Sequence, residues 1–435
     1  MLNPIISMED EDEDGITNDI AYEPQITPYL LFAALTAAFG PFSLGWNLSV
    51  LNNPSEELKR IYNESYYSHY GKYVDETLMI SLQTMASAFY LCGGVAGSLL
   101  FGVLAKKMGR KRIMQVISPI GFMGALLMLI TKPANALECM LIGRIIFGIY
   151  SGIPLVMLIV QSMCLLFCTE TPKYLLLERN DQLLAIETLQ KLRGCSDQRL
   201  MREEFRLLET EKSMMQTGMV SFNGIFRKRY LKRTLIILIC NIGQQFCGIN
   251  GILFYSNSIF TSAGLSNEEA TYGSVGVSGV LFLGSCLSSL LLERTGRKPL
   301  LLIGFAAMSV ASFGLVPALK FANESRTSAI LSILLQIVFV FMFSLGPGTI
   351  VWMLTSELFP FEARPPAILV AVTVNWLANL LVVSTFLFIQ SAIDAYSFIL
   401  FGTSSLAIAV FTFFFIPETK GKNSQDVELM FASRR

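Results

Sequence analysis

Ten apolar stretches, most of them about as long as a bilayer-spanning helix, constrain this chain more than any other feature. A helix needs about 20 apolar residues to cross the hydrocarbon core of a membrane. The stretches lie at 28–50, 79–105, 113–132, 137–168, 234–260, 272–292, 299–321, 328–355, 366–389 and 393–416. Only 15% of the residues are charged, against about a quarter in soluble domains. The sequence therefore predicts an all-α polytopic membrane protein.

Basic residues predict which loops face the cytoplasm. They cluster at 106–112, 227–233 and 294–298, and cytoplasmic loops of membrane proteins carry an excess of Lys and Arg. With these loops inside, both termini are also cytoplasmic. The opposite face receives two Asn-X-Ser sequons, at Asn63 and Asn323, which are glycosylated only on the exterior. We expect an integral protein of the plasma membrane that contacts lipid and carries glycans at these two positions.

Composition and motifs argue against several other classes of protein. The 33 basic and 33 acidic residues balance, which gives no reason to expect a nucleic-acid partner. Most of the cysteines fall in or beside apolar stretches, and the single histidine, His69, lies in a polar loop. We find no metal-ligand spacing and no nucleophile–base pair. We therefore expect no catalytic residues, no metal and no cofactor, and hence not an enzyme. The oligomeric state stays open, with a homo-oligomer among the options.

One long polar stretch, residues 169–233, divides the chain into two halves. Its acidic and basic residues alternate around Leu183, Ile186, Leu189 and Leu192, a pattern that predicts short amphipathic helices. The expected organisation has five parts. These are an acidic cytoplasmic N-terminus (1–27), a shortened N-terminal helix bundle (28–168), a cytoplasmic helical linker (169–233), a C-terminal six-helix bundle (234–416) and a cytoplasmic tail (417–435).

An internal repeat shows that the first half is short. The segment 107–111 recurs as 294–298, and 169–173 is echoed by 417–420. Between these markers, Gly296 and Glu418 are 122 positions apart, whereas Gly109 and Glu170 are only 61 apart. The first half therefore lacks about 61 residues, enough for two helices and a connection.

The fourth apolar stretch, 137–168, has two features that agree with this deficit. It has 32 residues, or about 48 Å as a helix, and it contains Gly152-Ile153-Pro154, which should kink or break a helix. A helix fused from parts of two spans would explain the length and the break. The alternative is a native ten-span protein with one long tilted helix.

Three amide side chains stand out in the fifth stretch: Gln244, Gln245 and Asn250. Each amide offers a donor and an acceptor, as a site for a neutral polyol requires. Buried polar groups in a membrane are expensive and are often functional. They can also serve only to hold helices together. Spacing alone does not decide between these two readings.

The motifs, taken in order, resemble those of the GLUT-type sugar porters of the major facilitator superfamily. They are Gly109-Arg110-Lys111, Gly143-Arg144, residues 170–176, residues 244–250, residues 293–298, Gly346-Pro347-Gly348, residues 357–359, Arg364-Pro365, Asn375-Trp376 and residues 417–421. The resemblance implies two helix bundles of the major facilitator fold, with about ten spans here instead of twelve. It also locates the deficit, since the sequence leaves the family pattern after Gly152 and resumes inside its sixth helix near Ile153-Pro154.

The resemblance implies roles for individual residues. The substrate-binding positions are Gln244, Gln245, Asn250, Phe343, Trp352, Asn375 and Asn379. The charges of a cytoplasmic gate are Arg110, Glu170, Glu293, Arg297, Glu357, Arg364 and Glu418. The hinge is formed by Gly346, Pro347 and Gly348.

The implied function is facilitative uniport of a hexose, such as glucose or fructose, by alternating access. The segments 62–65 and 255–260, together with Ser344-Leu345-Gly346, are most similar to the fructose and urate branch. One alternative is a non-transporting shortened isoform that is degraded or that regulates a full-length carrier. Urate transport and proton-coupled sugar transport are further alternatives, although the stretches show no convincing acid away from their ends.

Overall fold

The computed structural model is helical, with no β-strand among the residues that it describes. These are residues 27–49, 54–150, 155–194, 204–206, 208–209, 212–213, 218, 220–262, 264–322, 324–422 and 424–432. The all-α architecture predicted from the apolar stretches is thereby confirmed.

Eight α-helices have defined bounds among the described residues of the first half and the linker. They are α1 (Pro28–Ser49), α2 (Ser55–Tyr70), α3 (Glu76–Met108), α4 (Arg110–Ala134), α5 (Leu137–Tyr150), α6 (Leu155–Phe167), α7 (Pro172–Leu177) and α8 (Gln182–Arg193). The fourth apolar stretch thus forms two helices, α5 and α6. Residues 151–154, where we expected the kink or fusion, lie outside the described residues.

The described residues of the second half contain nine α-helices. They are α9 (Leu231–Phe246), α10 (Ile249–Ser262), α11 (Asn267–Thr295), α12 (Arg297–Lys320), α13 (Arg326–Leu345), α14 (Pro347–Leu358), α15 (Arg364–Ile393), α16 (Ser397–Phe415) and α17 (Ser424–Ala432). Two apolar stretches, 234–260 and 328–355, are each divided between two helices, the first at Cys247-Gly248 and the second at Gly346.

Among the described residues, seven helical segments are long and apolar enough to cross a membrane. They are Glu76–Leu100, Lys111–Ala134, Leu231–Leu253, Asn267–Thr295, Arg297–Lys320, Arg326–Leu358 and Arg364–Phe415. The last segment contains both α15 and α16. The chain is thus a polytopic membrane protein, and the total of ten spans stays a prediction.

The buried core lies mainly in the second half. Its large cluster draws on helices α9 to α16 and is joined from the first half by Tyr90 and Leu91 of α3. This contact is where α3 packs along α15. A separate cluster in the first half has only four fully buried members, Tyr62, Ala86, Leu137 and Met140. Among the described residues, the first half is therefore the more thinly packed of the two.

Helix α8 shows the amphipathic character that the linker sequence predicts, with one correction. Leu189 is buried beside Ala185 and Thr188. Leu183, which we expected on the same apolar face, is 73% exposed. Two positions along a helix turn through about 200°, so Leu183 points away from Ala185.

A carboxylate caps a helix at the corresponding place in each half. Glu170 accepts a hydrogen bond from the backbone N–H of Lys111 at 3.1 Å, at the start of α4. Glu418 accepts hydrogen bonds from the backbone N–H groups of Arg297 and Lys298, both at 3.0 Å, at the start of α12. The first N–H groups of a helix have no partner within the helix, and its N-terminus favours negative charge. The sequence repeat is therefore also a repeat in structure.

Glycine is needed at the residue before each capped helix. Gly109 has φ 83° and ψ 163°, and Gly296 has φ 93° and ψ 173°. Only glycine adopts this region readily. A Cβ at Gly296 would also lie 2.7 Å from a carboxylate oxygen of Glu418.

We predict that Gly296→Ala destabilises the protein by about 2 kcal/mol or more, because of this backbone conformation and the displaced carboxylate. Thermal unfolding of the purified protein would measure the loss. Gly279→Ala is a matched control, since a Cβ there has open space within helix α11, and we expect its melting temperature to be unchanged or slightly raised. Equal melting temperatures for the two variants would contradict the predicted role of Gly296.

Candidate substrate site

The site begins at the break between α9 and α10, within the apolar stretch 234–260. Helix α9 ends at Phe246, and Gly248 turns the chain with φ 91° before α10 starts at Ile249. A Cβ at Gly248 would lie 2.4 Å from the Phe401 ring, so α16 packs directly against the break. The break places the amides of Gln244 and Gln245 on one side and Asn250 on the other.

Gln244 joins three helices. Its Nε2 donates to the carbonyl oxygen of Pro347 at 2.7 Å, at the start of α14. Its Oε1 accepts from Nδ2 of Asn375 on α15, also at 2.7 Å. Both residues are buried, and a buried amide without partners would be strongly destabilising. The pairing therefore ties α9, α14 and α15 together.

Gln245 extends the network across the break. Its Nε2 donates to Oδ1 of Asn375 at 3.0 Å, and its Oε1 accepts from Nδ2 of Asn250 on α10. Asn375 thus accepts from one glutamine and donates to the other. Four of the predicted substrate positions form one connected cluster of amides, which we call the amide cluster: Gln244, Gln245, Asn250 and Asn375.

The sequence interpretation missed one member of this neighbourhood, Asn241. It is buried in α9 and its Oδ1 accepts from Nδ2 of Asn375 at 3.2 Å. A signal was present, because Asn241 lies three positions before Gln244 and so shares its helix face.

The other three predicted positions are not hydrogen-bonded to the amide cluster in any contact of the described structure. Asn379 is buried one turn beyond Asn375, and its Oδ1 has no partner among the described residues. Trp352 is 44% exposed on α14. Phe343 on α13 packs against Gly348. Of the three, Asn379 has an unused polar atom.

The predicted gate charges of the second half form a network. Arg297 donates through Nε to Glu357 at 3.0 Å and lies 3.7 Å from Glu293. Thr419 donates to the other oxygen of Glu357, next to the helix cap formed by Glu418. The Arg297 side chain is only 10% exposed, and that of Glu357 is 22% exposed. These contacts join α11, α12, α14 and the segment after α16, all within one half.

The remaining gate residues lie elsewhere. Glu170 caps α4 in the first half, and the side chain of Arg110 lies outside the described residues. Arg364 donates to the carbonyl oxygen of Phe359 and stacks on the Phe361 ring at 4.3 Å. Lys173 of α7 lies 5.9 Å from the same ring. Phe361 is therefore a point where the linker meets the second half.

The predicted hinge lies between two helices, and one of the two sequon asparagines lies within the described residues. Gly346 separates α13 from α14 with φ −125° and ψ −79°, and Pro347 opens the second helix. Asn63 lies in α2, where its Oδ1 accepts from the backbone N–H of Val74 at 3.1 Å. Asn323 lies outside the described residues.

Long apolar helices surround a buried cluster of neutral amides, which is the arrangement of a polytopic membrane protein. Solved structures agree on the fold. The proton:xylose symporter XylE bound to 6-bromo-6-deoxy-D-glucose superposes with a TM-score of 0.76 at 21% identity, covering 92% of this chain and 99% of that one. The inward-open XylE from E. coli gives 0.72 at 21% identity, covering 92% and 100%. The fold is that of the major facilitator superfamily.

The chain belongs to the Sugar (and other) transporter family, whose model matches residues 33–158 and 152–431. Its relatives are named solute carrier family 2, facilitated glucose transporters. Member 5 of Equus caballus is 31% identical over 95% of this chain and 94% of its own length. Member 9 of Mus musculus is 30% identical over 93% and 86%, and member 7 of Homo sapiens is 30% identical over 95% and 92%. The resemblance inferred from the motifs is confirmed, and these relatives fit the branch that it indicated.

The stability of the folded protein depends on pH through the carboxyl group of Glu418. Burial alone would raise the pKa of the Glu418 carboxyl, but backbone N–H groups of Arg297, Lys298, Thr419 and Lys420 outweigh it and hold this pKa below its ordinary value. A carboxyl whose pKa is lowered by folding adds stability above its unfolded pKa of about 4.3. That stability is lost as the pH falls through the lower, folded pKa.

We predict that Glu418→Gln melts at a lower temperature than the wild type at pH 7 and that the two converge as the pH falls below about 4. Thermal unfolding between pH 3 and pH 7 would show this. A difference in melting temperature that stays constant over the whole range would contradict the proposed origin of the stabilisation.

Proposed function

We propose that the chain descends from a facilitative hexose carrier and that the amide cluster is its sugar site. The observation that carries the proposal is the connection of Gln244, Gln245, Asn250 and Asn375 into one buried, uncharged hydrogen-bonded group. A sugar is a neutral polyol whose hydroxyls donate and accept hydrogen bonds. Amides satisfy both roles and add no charge that would need a counter-ion.

The cluster can exchange its internal hydrogen bonds for bonds to a sugar. Gln245 and Asn375 each use both their oxygen and their nitrogen within the cluster. Sugar hydroxyls entering between them would replace amide partners with hydroxyl partners, so no buried polar group loses its hydrogen bond. Asn379, with its unused oxygen, lies one turn away as a further acceptor.

The names of the relatives support a hexose as substrate, since all three are called facilitated glucose transporters. The neutral cluster favours uniport over coupling to protons. Urate and proton-coupled transport stay as alternatives without a specific observation in their favour.

Movement between inward- and outward-open states needs a gate and a hinge. We propose that the network around Arg297 and Glu357 keeps the second half rigid on the linker side and that Glu170, Arg110 and Arg364 act where the halves meet. The break at Gly346-Pro347-Gly348 is the proposed hinge, because it removes helix hydrogen bonds within a spanning segment.

We further propose a plasma-membrane location with cytoplasmic termini and lipid contacts. We also propose the five-part organisation set out above. A homo-oligomer stays open.

A second candidate is a shortened form that does not transport. The family model matches in two pieces that meet at 152–158, where the sequence places the deficit. Alignments with relatives extend over 464 to 472 positions, although the chain has only 435 residues, so they include gaps in this chain. Helices α5 and α6, with 14 and 13 residues, are each too short to cross a bilayer alone. These findings favour a missing segment between them.

Uptake of labelled D-glucose and D-fructose into proteoliposomes separates the two candidates. If the chain is a carrier as it stands, we expect saturable uptake. Gln245→Leu should reduce this uptake at least tenfold, because it removes the amide that links Asn375 to Asn250. Gln336→Leu is the matched control, since Gln336 is also a buried glutamine of the second half, and we expect it to retain uptake.

A folded chain with no uptake would support the non-transporting form. Inserting the corresponding 61-residue segment of a relative after Gly152 should then restore uptake. A restored protein that still shows no saturable hexose uptake would overturn the assignment as a hexose carrier.

A further inference from the structure

A positively charged side chain, that of Arg144, is buried in the contact between the halves, away from the amide cluster. Arg144 of α5 has no exposed surface. Its Nε donates to the carbonyl oxygen of Ala86 on α3 at 2.9 Å. Its guanidinium lies 4.7 Å from the centre of the Tyr90 ring. Both terminal nitrogens have no hydrogen-bond partner among the described residues.

The ionisable groups that act on Arg144 in the described structure are three tyrosines, Tyr62, Tyr90 and Tyr255. None of these is a counter-ion at neutral pH. The undescribed side chains of α1, within 39–49, and of the junction 151–154 include no Asp or Glu. A buried charge without a counter-ion is strongly unfavourable, and the contact with the Tyr90 ring offsets only part of this.

A further unused donor belongs to the α3 side chain whose ring contacts Arg144. The Tyr90 hydroxyl is buried and has no partner among the described residues. Ala86, which accepts the Nε hydrogen bond, lies about one helical turn before Tyr90. Guanidinium N–H groups and hydroxyl O–H groups are all donors, and a set of unused donors around one positive charge suits an anion.

The second half takes part in enclosing this site. Tyr255 of α10 lies beside Arg144 and Ser87 of α3, and its ring stacks on Phe386 of α15 at 5.4 Å. Tyr255 is also where α10 departs from helical geometry, with φ −127° and ψ 15°. Tyr62 of α2 is buried and also interacts electrostatically with Arg144. Opening the halves at α10 would therefore expose Arg144.

We propose that Arg144 and Tyr90 form a binding site for a small inorganic anion of chloride size, held when α10 closes over α3. The anion supplies the missing counter-charge and accepts from the unused donors. It enters while the halves are parted and is enclosed when they meet, so it stabilises the closed arrangement. Gluconate, which is several times larger than chloride, is the reference anion that we expect not to bind.

The test measures the melting temperature of the purified full chain at constant ionic strength while chloride replaces gluconate. We expect a saturable rise of about 3 °C, reproduced by bromide. Arg144→Met should abolish this response, whereas Arg326→Met, a change at an exposed arginine, should keep it. No sugar is present, so the result is independent of the transport proposal.

Tyr90→Phe keeps the aromatic ring but removes one donor, and it covers the case in which Arg144→Met does not fold. We expect it to weaken the apparent chloride affinity about three- to tenfold. Absence of a chloride response in the wild type, an equal response in Arg144→Met, or an unchanged affinity in Tyr90→Phe would overturn the proposal and leave enclosed water as the partner of Arg144.

Discussion

An amide buried among apolar helices is costly unless its donors and acceptors are paired, and this constraint organises the amide cluster in the second half. Asn375 of α15 has both glutamines of α9 as partners, and one of these also reaches the backbone at Pro347. These polar residues are paired in an arrangement in which α9 ends at Phe246, the chain turns at Gly248, and α14 begins at Pro347. The breaks in the two helices and the amide cluster therefore depend on one another.

A second constraint acts at the helix ends and relates the two halves. Glu170 and Glu418 each cap a helix that follows a glycine in a conformation reserved for glycine. The two halves share this capped helix start but differ in the size of their buried cores. The second half has a large continuous core, whereas α5 and α6 are each about two thirds as long as a spanning helix of about 20 residues. The loss of a segment that we propose for the first half, with its helix cap retained, would account for both observations.

Much of this arrangement could be predicted from the sequence because it depends on local patterns. The apolar stretches predict the helices, and the ordered motifs predict the family and four members of the amide cluster. Other features depend on packing, which a linear pattern does not contain. Leu183 was assigned to the wrong face of α8, since the buried face is set by what α8 contacts. Asn241 was missed because its partner, Asn375, is 134 positions away. The isolation of Arg144 becomes visible only when α2, α3, α5 and α10 meet.

The central claim is that the amide cluster binds a hexose, and equilibrium binding to the purified chain tests it most directly. Isothermal titration should show D-glucose or D-fructose binding and no comparable binding of L-glucose, because an oriented set of amides distinguishes hydroxyl stereochemistry. Asn375→Leu, which removes the residue shared by both glutamines, should weaken this binding at least tenfold. Equal binding of D- and L-glucose, or undiminished binding by Asn375→Leu, would contradict the claim.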